Sequence, residues 1–415
     1  MTKKTDVVVV GGGYAGVMAA NRLTRRHDVN VTLINPRPEF VERIRLHQLV
    51  TGSDDAVVDY RKVLAGGVTL VVDTVTRIDA AGRRVTLDSG GELGYDYLIY
   101  AVGSGSPVPD VPGAAEHAYR ISVLEEAERL QPVVDAAPGS ATLTVVGAGP
   151  TGLETASELA EQGRKVTLVC GKTLGPYLHP RARRAVAKRF AKLGMTVVEG
   201  PDATVTGVTA DAVQLADGRE LPSDVTIWTA GFGVPDLAAR SGLSTDAIGR
   251  LLTDETLTSI DDPRVIGTGD SVAPSDLPVR MSCQSAVQIG PQAAETVLSR
   301  IAGKQPENFE VGFFGECISL GRRAGVVQFA RKDDSVSRVY HEGTKSMAML
   351  KEAVCWSTVW QLRQEARKPG QLDLWFKDRQ RPKRLQAKNA KDSKDSKSAQ
   401  TAETAEAPVD AGPAA

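Results

Sequence analysis

The sequence predicts an α/β protein with two Rossmann-like dinucleotide-binding domains and a small C-terminal α+β domain. A run of mainly β-branched residues at 6–10 leads into a glycine-rich turn at 11–16, a helical stretch and a second apolar strand at 31–34. The same order of elements recurs within residues 142–169, with its glycine-rich turn at 147–152. A strand, a glycine turn, a helix and another strand form the βαβ unit from which parallel sheets are built.

The domain boundaries follow from where these patterns begin and end. The first dinucleotide-binding domain is predicted to span residues 1–115 and to resume at 251–305, after the second domain at 116–250. Strand-like segments and a helical stretch predict a C-terminal domain at 306–385. Residues 386–415 contain few apolar side chains, so they are predicted to form a disordered tail.

The bulk composition excludes several classes of protein. The chain of 415 residues carries a formal net charge of −1, which predicts no general attraction to nucleic acid. Its four cysteines are scattered, without a Cys-x-x-Cys pair or metal-ligand spacing, and this favours a reducing, cytoplasmic compartment and no bound metal. The first residues lack the pattern of a signal peptide, and no apolar run approaches the ~20 residues that a membrane-spanning helix needs.

Each glycine turn has the spacing that binds the pyrophosphate of a dinucleotide. The first glycine allows the tight turn, the second lets the backbone approach the phosphates, and the third lets the helix pack on the strand. The phosphates then lie at the positive end of the helix dipole. One such turn is a weak signal, whereas two copies between strand and helix are a strong one. The candidate residues are Gly11, Gly13, Gly16, Gly147, Gly149 and Gly152.

The residue after the second strand of each unit bears on the choice of nicotinamide cofactor. An acid about 20 residues after the first glycine commonly binds the ribose hydroxyls. The first unit has Asn35 there, which can still hydrogen-bond a ribose, and the second unit has Cys170. The missing acid, with Lys172 or Arg164 nearby, slightly favours NADPH over NADH. The alternative is that these cations are solvated surface groups and that the specificity is loose.

The chain resembles the FAD-dependent pyridine nucleotide oxidoreductases over roughly residues 5–370, and within them it looks most like the type II NADH dehydrogenases. The segments that carry the resemblance are residues 11–16, 95–104, 147–154, 229–232 and 269–270. It implies that the first glycine turn binds FAD and the second binds the nicotinamide cofactor. It also implies that Gly269 and Asp270 contact the ribityl chain and pyrophosphate of FAD; the alternative for Asp270 is a helix cap. Further cofactor-binding candidates are Tyr14, Ala15, Val75, Ala101, Gly103, Gly231 and Ala286.

The same resemblance suggests catalytic candidates. Glu154 stands where the family has an acid facing the nicotinamide ring; the alternative is a first-turn charge that stabilises the helix dipole. Gln284 and Gln288 belong to a segment that lies beside the flavin and the quinone tunnel in type II NADH dehydrogenases, and Cys283 departs from its pattern. Their amides suit a carbonyl-rich ligand, and the alternative is a polar helix start.

Residues 43–48 stand where the superfamily approaches the flavin ring from the first domain. Arg45 can bind the cofactor there and stabilise the negative charge of reduced flavin, or it can be a phosphate or surface residue. His47 is predicted to be a packed or hydrogen-bonded histidine rather than a catalyst. Because no cysteine precedes Cys170, the redox cysteine pair of the disulfide reductases is excluded.

The resemblance therefore implies an FAD-dependent NAD(P)H dehydrogenase that passes hydride to the flavin and electrons to a quinone-type acceptor. Two alternatives stay open: a soluble flavoprotein of the ferredoxin-reductase or oxidase type, and a redox sensor similar to apoptosis-inducing factor. A sulfide:quinone reductase is disfavoured, because Cys170 and Cys355 are in no obvious register for the cysteine pair that it needs.

The last part of the folded chain combines tryptophans with basic residues. Met349, Trp356 and Trp360 share one broad face of a predicted helix at 345–366. Trp375 and the basic run of Lys377, Arg379, Arg381, Lys383 and Arg384 follow. Tryptophan with lysine or arginine suits the headgroup layer of a membrane, which suggests peripheral attachment to the inner face of the cell membrane. The alternatives are a helix packed on the protein's own core and a homodimer interface.

Overall fold

The computed structural model describes residues 4–371 and 377–391. The first dinucleotide-binding unit starts with a strand whose last four residues are all buried, as expected for a parallel sheet covered on both faces. Its elements are β1 (Thr5–Val10), α1 (Tyr14–Leu23), β2 (Val29–Asn35), β3 (Glu39–Val41), α2 (Leu46–Val50), β4 (Val57–Asp59), β5 (Val68–Val72), β6 (Val75–Asp79), β7 (Arg84–Leu87), β8 (Glu92–Gly94) and β9 (Tyr97–Tyr100). Short 3-10 turns lie at Arg43–Arg45 and Tyr60–Lys62.

The second unit repeats the order of strand, turn, helix and strand. Its elements are α3 (Ala114–His117), β10 (Ala118–Arg120), α4 (Leu124–Ala136), β11 (Thr142–Val146), α5 (Pro150–Glu161), β12 (Lys165–Val169), α6 (Pro180–Lys192), β13 (Thr196–Val198), β14 (Val205–Val208), β15 (Ala212–Leu215), β16 (Glu220–Pro222) and β17 (Val225–Trp228).

The chain then returns to the first unit and ends in a C-terminal sheet and helices. These elements are α7 (Leu237–Arg240), β18 (Leu251–Thr253), β19 (Val265–Gly267), β20 (Val272–Pro274), α8 (Cys283–Ile301), β21 (Gly315–Ser319), β22 (Gly325–Ala330), β23 (Val336–Gly343), α9 (Lys345–Arg367) and α10 (381–391).

Each unit is built on a five-stranded parallel sheet. The strand orders are β19-β9-β1-β2-β5 and β10-β17-β11-β12-β13, so β1 and β11 hold the same central place. Each glycine turn follows the carboxyl end of its central strand, where parallel sheets bind ligands. The antiparallel sheet β21-β22-β23 and α9 form an α+β addition. The predicted fold class is therefore confirmed.

The two units meet where the chain crosses between them. Gly105 lies in the segment that leads from the first unit to the second, and Gly233 lies in the segment that leads back. The two glycines exchange backbone hydrogen bonds of 2.8 and 2.9 Å, which hold these segments together. Leu237 and Leu243 are already buried in one core cluster with Val8 of β1. By this packing, Leu237 and Leu243 contribute to the core of the first unit, and the boundary at residue 250 stays a prediction.

The C-terminal helices pack on the first unit. Val359 and Leu362 of α9 are buried in the same core as α1, and the buried Arg22 of α1 pairs with the fully buried Glu365. In α10, Arg381 bonds both carboxylate oxygens of Glu255 at 2.8 Å. This helix occupies residues 386–391, which the sequence assigned to a disordered tail, because Arg381 anchors its first turn. Residues 392–415 and Trp375 lie outside the described residues.

Candidate active site

The first glycine turn has no room for a side chain at two positions. Gly11 has a φ of +104°, and a Cβ placed on it would lie 2.3 Å from the carbonyl oxygen of Ala101. A Cβ on Gly16 would lie 1.9 Å from the carbonyl oxygen of Gly11. In contrast, a Cβ on Gly13 would meet no atom within 4 Å. The turn therefore needs glycine at 11 and 16 for its own shape, whereas Gly13 faces open space at the start of α1.

The second glycine turn has the same geometry. Gly147 has a φ of +113°, and a Cβ on Gly152 would lie 1.9 Å from the carbonyl oxygen of Gly147. Gly149 precedes α5 and faces open space, as Gly13 does before α1. Free backbone N–H groups at the start of a helix form a ready site for phosphates. Both turns therefore fit the pyrophosphate of a dinucleotide.

Asn35 is used inside the first turn. Its Oδ1 accepts a hydrogen bond of 3.0 Å from the N–H of Gly12, and its Nδ2 donates to the carbonyl oxygen of Arg37 at 2.9 Å. The hydroxyl of Tyr60 donates to the carbonyl oxygen of Gly12 at 2.7 Å, so both side chains brace the turn. Contact of Asn35 with a ribose stays a prediction. In the second unit, Lys172 is exposed after β12.

Asp270 joins three segments of the first unit. Ser104 donates from its Oγ to Asp270 Oδ2 at 2.6 Å, and the N–H of Ser282 donates to Oδ1 at 3.1 Å. Arg43 donates from Nη1 to Ser104 Oγ at 2.9 Å and lies 3.7 Å from Asp270 Oδ2. The carboxylate thus links the end of β9 to the start of α8 instead of acting as a cap on its own turn. Arg43 and Ser104 are site residues that the sequence did not single out, because only the fold brings them to Asp270.

The other cofactor candidates fall into three groups. Tyr14, Ala15 and Ala101 are buried around the first glycine turn, and a Cβ on Gly269 would lie 3.0 Å from the Cβ of Ala15. Gly103 and Gly231 have φ values of +70° and +86° at the ends of equivalent strands. Val75 and Ala286 are buried within β6 and α8, respectively.

The two glutamines of α8 differ in their surroundings. Gln288 is buried and its amide exchanges hydrogen bonds with the backbone of Gly312, at 3.0 and 3.3 Å. Gln284 accepts a long contact of 3.5 Å from Arg280, but its buried Nε2 has no acceptor among the described residues. A buried donor without a partner is costly, so Gln284 is the better placed of the two to bind a ligand oxygen.

Arg45 lies in a cluster of carboxylates. Its guanidinium is 3.2 Å from Glu42, 3.2 Å from Asp54 and 2.8 Å from Glu352 of α9. Burial alone would lower the pKa of Arg45, but hydrogen bonding to Glu352 and the surrounding negative charges raise it above its ordinary value. The geometry thus gives Arg45 a role in holding α9 to the first unit, and its contact with flavin stays a prediction.

Glu154 forms a buried ion pair with a residue of α9. Its Oε1 is 2.8 Å from Nζ of Lys351 and accepts from the N–H of Ser319 at 3.0 Å. Burial opposes the charge on each partner, yet the pKa of Glu154 is lowered and that of Lys351 is raised because each stabilises the other. Both groups are therefore charged at neutral pH. Lys351 was missed from the sequence because no local pattern relates α9 to α5.

Comparison with known proteins agrees with this geometry. Residues 5–290 match the pyridine nucleotide-disulphide oxidoreductase family. An NADH dehydrogenase-like protein of Mycobacterium tuberculosis is 30% identical over 353 residues, covering 78% of this chain and 87% of the relative. The type II NADH:quinone oxidoreductase Ndh of the same organism is 29% identical over 375 residues, covering 79% and 80%. The structure of NDH2 from Plasmodium falciparum in complex with NADH has a TM-score of 0.73 at 16% identity, over 88% of this chain and 97% of that one.

The match confirms the family resemblance drawn from the glycine turns and makes FAD and a nicotinamide cofactor the expected ligands. The family name refers to disulphide chemistry, but the cysteines of this chain, Cys170, Cys283, Cys317 and Cys355, are all free. The matched region contains both glycine turns, Glu154 and Asp270. The chain belongs to the pyridine nucleotide-disulphide oxidoreductase family.

Proposed function

We propose that the protein is an FAD-dependent NAD(P)H dehydrogenase that delivers electrons to a quinone. The observation that carries this proposal is the pair of open glycine turns on two equivalent sheets, because it provides one site for each of two dinucleotides. When bound, FAD supplies the two-electron transfer between the nicotinamide and the acceptor. Gly13 and Gly149 leave room for the pyrophosphates, and the family resemblance supports Asp270 as an acceptor of hydrogen bonds from the ribityl hydroxyls.

The quinone is proposed from two lines of support. Relatives of this chain include a type II NADH:quinone oxidoreductase of Mycobacterium tuberculosis and a demethylphylloquinone reductase of a Synechocystis strain. Within the chain, the unpartnered Nε2 of Gln284 offers a donor to a carbonyl oxygen. The ion pair with Lys351 keeps the buried carboxylate of Glu154 ionised, so that it is available to take up a proton.

We further propose that the enzyme accepts both nicotinamide cofactors, with some preference for NADPH. Lys172 is exposed just beyond the carboxyl end of β12, where a ribose 2′-phosphate would lie, and no acid stands at Cys170. Lys172→Glu is expected to raise the KM for NADPH by roughly tenfold while changing the KM for NADH little, because repulsion replaces attraction at the phosphate.

Lys165→Glu is the matched control for this cofactor test. It makes the same change of charge at the opposite end of β12, away from the ligand edge of the sheet. Steady-state kinetics with both cofactors measure the effect. An equal rise in both KM values for Lys172→Glu, or the same NADPH effect for Lys165→Glu, would contradict the proposed preference.

A further inference from the structure

We propose that Ser53, Glu158 and His47 form a path that carries a proton from solvent to Glu154. The proposal deepens the function given above and rests on it, because only an acceptor that takes up protons needs such a path. It names three residues beyond those that would bind the cofactors.

The path is a line of polar groups joined by one hydrogen bond and two longer approaches. Ser53 is exposed, and its Oγ donates to Glu158 Oε1 at 2.6 Å. The other carboxylate oxygen, Oε2, lies 3.5 Å from Nε2 of His47, and Nδ1 of His47 lies 3.9 Å from Oε2 of Glu154. Glu158 and His47 are 1% and 2% exposed, so the line runs from the surface directly into the interior.

Two atoms on this line have unused hydrogen-bonding capacity. Neither Nε2 of His47 nor Oε2 of Glu158 has a hydrogen-bond partner among the described residues, and they face each other. Leaving buried polar atoms unpaired destabilises the folded protein, so a purely structural role explains them poorly. A small rotation of either side chain would close the 3.5 Å gap to a hydrogen bond.

Burial, more than the surrounding charges, keeps His47 in the neutral form that relays protons. Burial lowers the pKa of His47 to about 4, against the opposing effect of Glu154, while Lys351 and Arg322 lower it further and Glu352 raises it. Burial raises the pKa of Glu158, against Ser53 and Arg322, whose Nε is 3.7 Å away. A neutral imidazole has one donor and one acceptor nitrogen, so it can take a proton on one side and release one on the other.

The proton balance of the reaction requires one such delivery per turnover. NAD(P)H, one proton and a quinone give NAD(P)+ and the quinol, so the nicotinamide supplies a hydride and the solvent supplies one proton. Glu158 takes up a proton from solvent at the exposed end of the path, beside Ser53. It then passes a proton to Nε2 of His47. The ring releases the proton of Nδ1 to the carboxylate of Glu154, which Lys351 otherwise holds ionised. Glu154 then gives this proton to an oxygen of the quinone as it is reduced, and rotation of the imidazole restores the starting state.

Glu158→Gln and His47→Gln interrupt this path while keeping polar side chains of similar size. With NADH as donor and menadione as acceptor, each FAD-loaded variant is expected to lose at least about tenfold in kcat, within the range that acid–base groups contribute. The solvent isotope effect in D2O is expected to increase. With ferricyanide, which takes electrons without protons, the kcat is expected to match wild type.

Glu161→Gln is the matched control. Glu161 lies one turn beyond Glu158 on α5, where it pairs with Arg189 and accepts from the N–H of Arg322, but it is not on the path. The control is expected to keep both activities. Wild-type menadione rates in Glu158→Gln and His47→Gln would overturn the path, and so would equal loss of the two activities, which would indicate structural damage.

Two further outcomes separate the path from the proposed function. Wild-type protein that reduces ferricyanide but no quinone would contradict the proposed function, and the path would fall with it. Should the variants not fold, histidine-selective 15N NMR of the wild-type protein still tests the path. It is expected to show a neutral His47 at about pH 6, and a charged imidazole there would overturn the path because it could not accept a proton.

Discussion

Gly13 and Gly149 are positions where a substitution can change cofactor binding without disturbing the fold. Each can accept a side chain without touching the protein, because a Cβ there meets no atom within 4 Å. Gly13→Val is therefore expected to fold but to bind FAD more than about tenfold more weakly, since the side chain fills the space of the phosphates. Gly149→Val is expected to keep its FAD and to show a raised KM for NADH. Flavin absorbance and steady-state kinetics measure the two effects.

Gly139→Val is the control for both variants. Gly139 lies in the turn after α4, and a Cβ there also meets no atom within 4 Å. The control should retain FAD and the wild-type KM. Full FAD occupancy of Gly13→Val would contradict the assignment of the first turn to the flavin.

Among individual residues, the sequence predicted those whose role follows from their spacing along the chain. The six glycines of the two turns were found because their spacing is itself the signal, and the structure gives Gly11 and Gly147 matching left-handed backbones. Asn35 was predicted to hydrogen-bond a ribose, which stays a prediction; in the structure its Oδ1 accepts from the N–H of Gly12. Arg43 and Ser104 lie in segments that the sequence related to the cofactors, but their contacts with each other and with Asp270 had no local signal. Lys351 had none either, because its partner Glu154 is distant in the chain.

Helix α9 has two faces with different environments. Its buried side, including Cys355, Val359 and Leu362, packs on the first unit, which agrees with the alternative of a helix on its own core. Its other side exposes Met349 and Trp356, at 62% and 58%. No helix of the described residues is long and apolar enough to cross a membrane. Removing α9 would expose the core, so attachment to a membrane needs a test by surface substitutions.

The exposed side of α9 is expected to bind membranes. Replacing Met349, Leu350 and Trp356 with serine should weaken partitioning into anionic vesicles at least about tenfold, because each buried apolar side chain contributes about 1.5–3 kcal/mol. Co-sedimentation of the full chain measures this. Serine at the exposed positions Val108, Ile248 and Ile260 is the control. Equal partitioning of the two triple variants would contradict attachment through α9.

The basic run after α9 contributes less to this surface than the sequence suggested. Lys377 pairs with Glu310 at 2.5 Å, Arg381 is buried against Glu255, and Arg384 pairs with Asp378. Asp378 lies within the run itself, whereas Glu310 and Glu255 come from distant segments, so the sequence alone could not show that Lys377 and Arg381 are paired. Membrane attachment itself stays a prediction.

The overall arrangement of the molecule was predicted from the sequence more completely than its individual contacts. The repeat of glycine turn and strands predicted two parallel sheets, and β1 and β11 do occupy equivalent central places. The crossing at Gly105 and Gly233 was not predicted, because an interdomain pairing leaves no periodic pattern. The packing of Leu237 on the first unit likewise depends on the returning chain, so no local pattern predicted it.

The most direct test of the proposed function measures how fast different electron acceptors reoxidise the reduced flavin. FAD-loaded protein is reduced anaerobically with NADH or NADPH in a stopped-flow instrument and then mixed, in parallel, with a menaquinone analogue, dioxygen or a ferredoxin. The absorbance of oxidised flavin measures the rate of flavin reoxidation by each acceptor. We expect the quinone to reoxidise the protein fastest, and fast reoxidation by the ferredoxin alone would contradict a quinone-reducing enzyme.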